Sequence, residues 1–317
     1  MSLMKQKFFL IFFGLALLSL IIFLLIYIYQ QPCQQIALES NQKQNSQWEF
    51  LNPYAKEDNI SLKKIDEFRS TIDEFIKESN IQTAIYFRDL NNGPWFSING
   101  ELRFDGGSLL KIPVLIAYYK NAENNPEILD RKIKYQEKKS LFVDPDFEKS
   151  LIIGKTYTIR ELLEIMIINS DNSSLALLTE YYEKENIKPS LPQTELYLGI
   201  LSEIDTINVI EYAGMLRILY NSEYLSPSKS NQALDLMSKA TFANGLTKYL
   251  PNEVLVAHKY GVRTYPKTNE KQLHNCGIIY KNSSPYILCV MTKGKDLKEQ
   301  AETIALISQR VYKTLVD

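Results

Sequence analysis

Strand-like segments sit at both ends of the folded part of this 317-residue chain, and helical patterns fill its middle. That order leaves few ways to close a sheet. Thr83-Ala-Ile-Tyr-Phe-Arg88 and Trp95-Phe-Ser-Ile98 are short apolar runs joined through Asn91-Asn-Gly93, a strong turn signal. Residues 254–257, 277–280 and 286–291 read as three further strands of an antiparallel sheet. Between the two groups, 158–169, 206–220 and 226–239 carry helical periodicity, and each begins on a hydroxyl residue; Thr158 and Glu161 form a capping pair. Apolar residues at Leu62, Ile65, Phe68, Ile72, Phe75 and Ile76 predict an amphipathic helix over 61–80, and a last helix spans 298–315. Strands distant in sequence are then expected to share one sheet. The expected fold is α+β: an antiparallel five-stranded sheet flanked by N- and C-terminal helices, with an all-helical second lobe at about 120–250. The cleft between such lobes is a usual place for a site.

The N-terminus is of another kind. Lys5 and Lys7 precede an uncharged apolar run at 8–29, long enough to cross a bilayer once, so 1–29 is expected to be a transmembrane anchor. Cationic residues before the run and none immediately after it orient the rest of the chain outside the cytoplasm, in the periplasm or at the cell surface. A cleaved signal would carry a shorter apolar core ending in small residues, and Gln31 and Pro32 are poor neighbours for lipidation at Cys33. Residues 30–58, rich in Gln, Asn and Ser, read as a polar linker, leaving 59–317 as the folded domain, expected to be monomeric.

A formal charge of −1 argues against nucleic acid as a partner. Only His258 and His274 are present, neither at a metal-ligand spacing with cysteine, so no metal or cofactor is expected. Cys276 and Cys289 would face each other if their strands turn through 281–284. Outside the cytoplasm they could bridge, although directly paired strand cysteines usually remain thiols.

Three short segments carry chemistry. Ser108-Leu-Leu-Lys111 opens an apolar run of helical length, and its serine and lysine share one face as a possible nucleophile and base. Ser170-Asp-Asn172 lies at a junction in the helical part, and His258-Lys259-Tyr260-Gly261 ends the first late strand. Alone, each is an ordinary cap, turn or strand end. Together, their order and settings resemble the penicillin-recognising serine hydrolases, most closely the class A β-lactamases, whose signature is Ser-x-x-Lys with Ser-Asp-Asn and Lys-Thr-Gly. Arg103-Phe104 ahead of the serine, Asp205-Thr206 at a helix start and Gly277-Ile-Ile279 in the next strand add to the likeness, which covers about 61–317.

The resemblance implies a serine hydrolase acting on a β-lactam or an acyl-D-alanyl peptide. Ser108 would be acylated, Lys111 would accept its proton, and Ser170 would pass a proton to the leaving nitrogen. Asn172 would bind the substrate's amide, Lys259 its carboxylate with help from Arg263, and Gly261 would let the strand approach the ligand. The N–H groups of Ser108 and Val262 would form the oxyanion hole. Two departures stand out. Tyr260 occupies the place of a small hydroxyl residue that would touch the carboxylate. The segment 182–204 has no Glu-x-x-Leu-Asn to activate a deacylating water; Glu195 and Glu203 are the available carboxylates. Slow deacylation would make the chain a D-alanyl-D-alanine carboxypeptidase or penicillin-binding peptidase, and loss of catalysis would leave a ligand sensor on the same fold.

Overall fold

The computed structural model describes residues 62–91, 93–136, 151–185, 206–281 and 284–315. The expected anchor and linker lie outside these. Among the described residues no helix is long and apolar enough to cross a membrane.

The chain begins with helix α1 (Leu62–Lys77), then strands β1 (Gln82–Asp89) and β2 (Trp95–Ile98). Strands β7 (Leu255–Tyr265), β8 (Glu270–Lys281) and β9 (Ser284–Gly294) follow much later, and helix α7 (Leu297–Thr314) closes the domain. The five strands form one antiparallel sheet in the order β2-β1-β9-β8-β7, so the two ends of the chain meet at β1 and β9, where Gln82 pairs with Lys293 and Asp89 with Tyr286. The late strands are longer than the sequence pattern indicates because their extensions carry polar residues that the fold buries, among them Gln272, His274 and Asn275.

Period-two alternation gives the sheet two apolar faces. Ile85 and Phe87 of β1 join Ile65, Phe68 and Ile72 of α1 and Ile304, Ile307 and Val311 of α7 in one core. Ala84 and Tyr86 join Ala257, Ile278 and Met291 in the other, against the helical lobe. Fully burying one such side chain contributes about 1.5–3 kcal/mol.

The middle of the chain holds α2 (Lys111–Asn124), α3 (Ile159–Ile168), α4 (Asn172–Lys184), α5 (Val209–Tyr220) and α6 (Pro227–Ser238). Thr158 and Glu161 form a reciprocal capping box on α3, and Ser226 caps α6, as the sequence indicates. The helix expected from Thr206 begins at Val209 instead, capped by Asn208. Residues Thr206–Ile207 form a short strand, β6, which pairs with β3 (Phe104–Asp105) and takes up the backbone groups just ahead of Ser108. The lobe is therefore not purely helical. It also holds a two-stranded ribbon of β4 (Lys132–Lys134) and β5 (Thr156–Thr158).

Cys276 and Cys289 are directly paired across β8 and β9, and they form a disulfide rather than two free thiols. Both are fully buried on the sheet face that meets the helical lobe.

Candidate active site

Ser108 does not open an α-helix. It lies in a 3₁₀ turn, Gly107–Leu110, that runs straight into α2 at Lys111. In a 3₁₀ turn residues i and i+3 eclipse, which stacks Ser108 and Lys111; Lys111 Nζ lies 2.9 Å from Ser108 Oγ. Lys111 is 1% exposed, although α2 is otherwise apolar there. Its ammonium also contacts the carbonyl and, at 3.1 Å, the hydroxyl of Ser170, and it donates to Asn172 Oδ1 at 2.7 Å.

Ser170 stands between α3 and α4. Asp171 caps α4 by accepting from Ser174 N at 2.6 Å. Ser170 itself has φ +59°, a left-handed conformation that costs a non-glycine residue ~1–2 kcal/mol. The strained residue turns both its carbonyl and its hydroxyl to Lys111.

From the other wall, Lys259 on β7 donates to Ser170 Oγ at 2.8 Å and to Tyr260 O at 3.2 Å. Lys259 is wholly buried. Desolvation first, then the neighbouring Lys111 charge, hold its ammonium well below the usual lysine range. The result is a continuous chain, Ser108 Oγ to Lys111 Nζ to Ser170 Oγ to Lys259 Nζ, assembled from three separate elements.

The other expected residues are placed less uniformly. β7 is an edge strand, so one row of its backbone groups has no strand partner. A Cβ at Gly261 would come 2.6 Å from Gly106 O and 3.1 Å from Leu109 N. The glycine therefore admits the nucleophile turn against β7, rather than a ligand. Gly107, at φ +48°, lies against Val262, whose N would be 3.3 Å from a Cβ there.

Tyr260 shares the terminal-helix core with Val256, is 4% exposed and stacks on Phe242 at 4.3 Å between centroids. Its ring lies 4.3 Å beneath the Lys259 ammonium, a cation–π contact that covers the lysine on one side. A tyrosine fits this place because its ring packs inward rather than reaching toward a carboxylate. Arg263 pairs with Asp105, Nε to Oδ2 at 2.9 Å, an engagement its sequence position does not indicate. Glu195 and Glu203 lie outside the described residues.

Several supporting residues carry no motif. Asn275, fully buried, donates to Lys259 O at 3.0 Å and accepts from Leu246 N at 2.9 Å, so it positions β7 against the loop after α6. His258, next to Lys259, meets the same Asn275 through Nδ1 at 2.9 Å and is packed, not catalytic in setting. Arg103 reaches Thr206 Oγ1 at 3.0 Å and Glu211 Oε1 at 3.0 Å, tying β3 to the start of α5. Among the described residues no group of His, Cys, Asp and Glu is placed to hold a metal ion.

A buried hydroxyl flanked by two lysines, beside a second, more accessible serine, is an arrangement suited to a serine hydrolase. The chain belongs to the beta-lactamase enzyme family, whose pattern matches residues 67–315. It is 23% identical over 269 residues to a β-lactamase of Proteus vulgaris, across 79% of this chain and 86% of that one. A solved β-lactamase from Chitinophaga pinensis superposes with a TM-score of 0.63 at 20% identity, covering 78% of this chain and 98% of the other. A mutant of PBP-A, solved as its acyl-enzyme complex with penicillin G, superposes with a TM-score of 0.60 at 19% identity, covering 78% of this chain and 96% of that one.

Proposed function

We propose that this chain hydrolyses β-lactams through an acyl-enzyme on Ser108. The observation that carries the reading is the convergence of Lys111 and Lys259 on one hydroxyl, Ser170, at 3.1 and 2.8 Å.

Counting protons gives each group its part. Ser170 O and Asn172 Oδ1 can only accept, so Lys111 must donate to both. A neutral amine has two N–H groups for those two acceptors and a lone pair left for Ser108, whose O–H then donates to it. Attack of Ser108 Oγ on the lactam carbonyl sends the hydroxyl proton to Lys111. Lys111 passes that proton on to Ser170 Oγ, 3.1 Å away, as Ser170 gives its own to the leaving nitrogen and the C–N bond breaks. Lys259 makes its contacts with uncharged groups, and its ammonium is matched by the carboxylate that every penicillin and cephalosporin presents near that nitrogen. Ser108 N and Val262 N bind the oxyanion, each donor typically being worth ~3 kcal/mol.

A second reading is a penicillin-binding peptidase that releases its acyl group slowly. The favouring observation is in the sequence: Glu195-Leu-Tyr-Leu198 reproduces Glu-x-x-Leu, but Gly199 stands where an asparagine would hold the water. Likeness to the PBP-A acyl-enzyme is consistent with it.

We also place the domain outside the cytoplasm, anchored by residues 8–29. The lysines ahead of that run and the Cys276–Cys289 bond, a modification of oxidising compartments, support this.

Incubation of the full-length chain with a chromogenic cephalosporin separates the readings. Sustained turnover supports the lactamase, a stoichiometric burst followed by arrest supports the peptidase, and no reaction removes both.

A further inference from the structure

We propose that Asp105 is a positioning residue for acylation, holding the nucleophile turn and the edge of β7 as one unit through Arg263. The inference rests on the acyl-enzyme reading and concerns how its oxyanion hole keeps its width.

Every polar group of Asp105 is engaged. Its N donates to Gln272 Oε1 at 2.9 Å, and its O accepts from His274 Nε2 at 2.9 Å, both on β8. Oδ1 accepts from Gly107 N at 2.9 Å, inside the nucleophile turn. Oδ2 accepts from Tyr265 OH at 2.8 Å and from Arg263 Nε at 2.9 Å, both on β7. The ion pair is partly buried, 28% and 13% exposed for the two side chains, which shelters it from the screening that makes surface pairs nearly worthless.

One carboxylate thus grips both walls that carry the expected oxyanion donors. Gly107 immediately precedes Ser108, and Arg263 immediately follows Val262. The walls already touch backbone to backbone: a Cβ at Gly107 would come 2.8 Å from Val262 O, and one at Gly261 2.6 Å from Gly106 O. Contact stops the walls from approaching, and Asp105 stops them from parting. Two N–H donors serve an oxyanion only at a fixed separation, and a displacement of about 1 Å in such a site costs ~100-fold in rate.

Arg263 bound to a substrate carboxylate would be the competing role, and the two roles differ in what happens when Asp105 is changed. A carboxylate-binding Arg263 is released by Asp105→Asn and binds anionic substrate at least as well. A positioning Arg263 loses its function with its partner.

The test is a double-mutant cycle on the full-length chain, reading the acylation rate constant and the apparent Kd with a fluorescent penicillin. Asp105→Asn and Arg263→Gln are each expected to slow acylation roughly 10–100-fold with little change in Kd. The double variant should be no slower than the slower single, and Arg263→Lys should recover part of the rate. If Asp105→Asn does not fold, the contrast between Arg263→Gln and Arg263→Lys carries the same test: loss of rate recovered by lysine supports the proposal, whereas a raised Kd at unchanged rate overturns it. Additive losses, or an Asp105→Asn chain that acylates normally, also overturn it. A wild-type chain that neither labels nor consumes the penicillin overturns the acyl-enzyme reading itself, and this inference with it, before any variant is made.

Discussion

Lys259 Nζ lies 2.8 Å from Ser170 Oγ while its own side chain is completely shut off from solvent. Burial first, and Lys111 whenever it carries its own proton, oppose its ammonium, so it loses its proton at lower pH than an ordinary lysine. Attraction of the substrate carboxylate should therefore weaken as pH rises through that lowered value. We expect an alkaline fall in kcat/KM that Lys259→Arg, charged throughout, moves upward or removes, measured between roughly pH 6 and pH 10. An alkaline limb unchanged in the arginine variant would show that another group titrates.

Acid should weaken the fold through its two histidines. Burial, with the Lys259 charge second, pushes His258 from 6.5 down to about 4, and burial does the same to His274. Between those values the unfolded chain binds protons that the folded chain refuses, so stability falls as pH drops from 6.5 towards 4 and the loss is complete below it. The loss is on the order of 3 kcal/mol per histidine. Urea unfolding across this window should show a shallower acid slope for His258→Gln and for His274→Gln than for the wild type.

The Cys276–Cys289 bond closes a separation of 13 residues. Loss of a disulfide of this span typically costs ~2–4 kcal/mol. A thiol assay on the denatured, unreduced chain should find one free cysteine of the three, Cys33. Finding all three free would contradict the bond.

Glu195, rather than Glu203, is predicted to serve deacylation, because only Glu195 stands in a Glu-x-x-Leu frame. Glu195→Gln should leave acyl-enzyme formation intact and slow its release by about 100-fold or more, whereas Glu203→Gln should alter neither. Gly199→Asn should speed release. Stopped-flow burst and steady-state rates read both steps.

Much of this architecture was legible because it depends on periodicity. The alternation in β1, the capping box of Thr158 and Glu161 and the serine cap at Ser226 are local signals that tertiary packing left in place. The full length of β7 and β8 was not legible, since buried Gln272, His274 and Asn275 look like surface residues until their partners Asp105, Leu246 and Lys259 are in view. The meeting of Ser108, Lys111, Ser170 and Lys259 was legible, because the chemistry proposed for them restricts such positions to few residue types. Its supports were not: Asp105 and Arg263 lie far apart in sequence, and neither carries a motif. The inward packing of Tyr260 was not legible for the same reason, as its neighbour in space, Phe242, lies in a different segment.

Intact-protein mass spectrometry after incubation with penicillin G tests the central claim most directly. The account predicts that the wild-type chain, quenched in acid while turnover is under way, gains the mass of one opened penicillin, mapped by proteolysis to the peptide containing Ser108, and that Ser108→Ala gains none. Adduct on the Ser108→Ala chain, or a wild-type chain that neither gains mass nor consumes the drug, would contradict it.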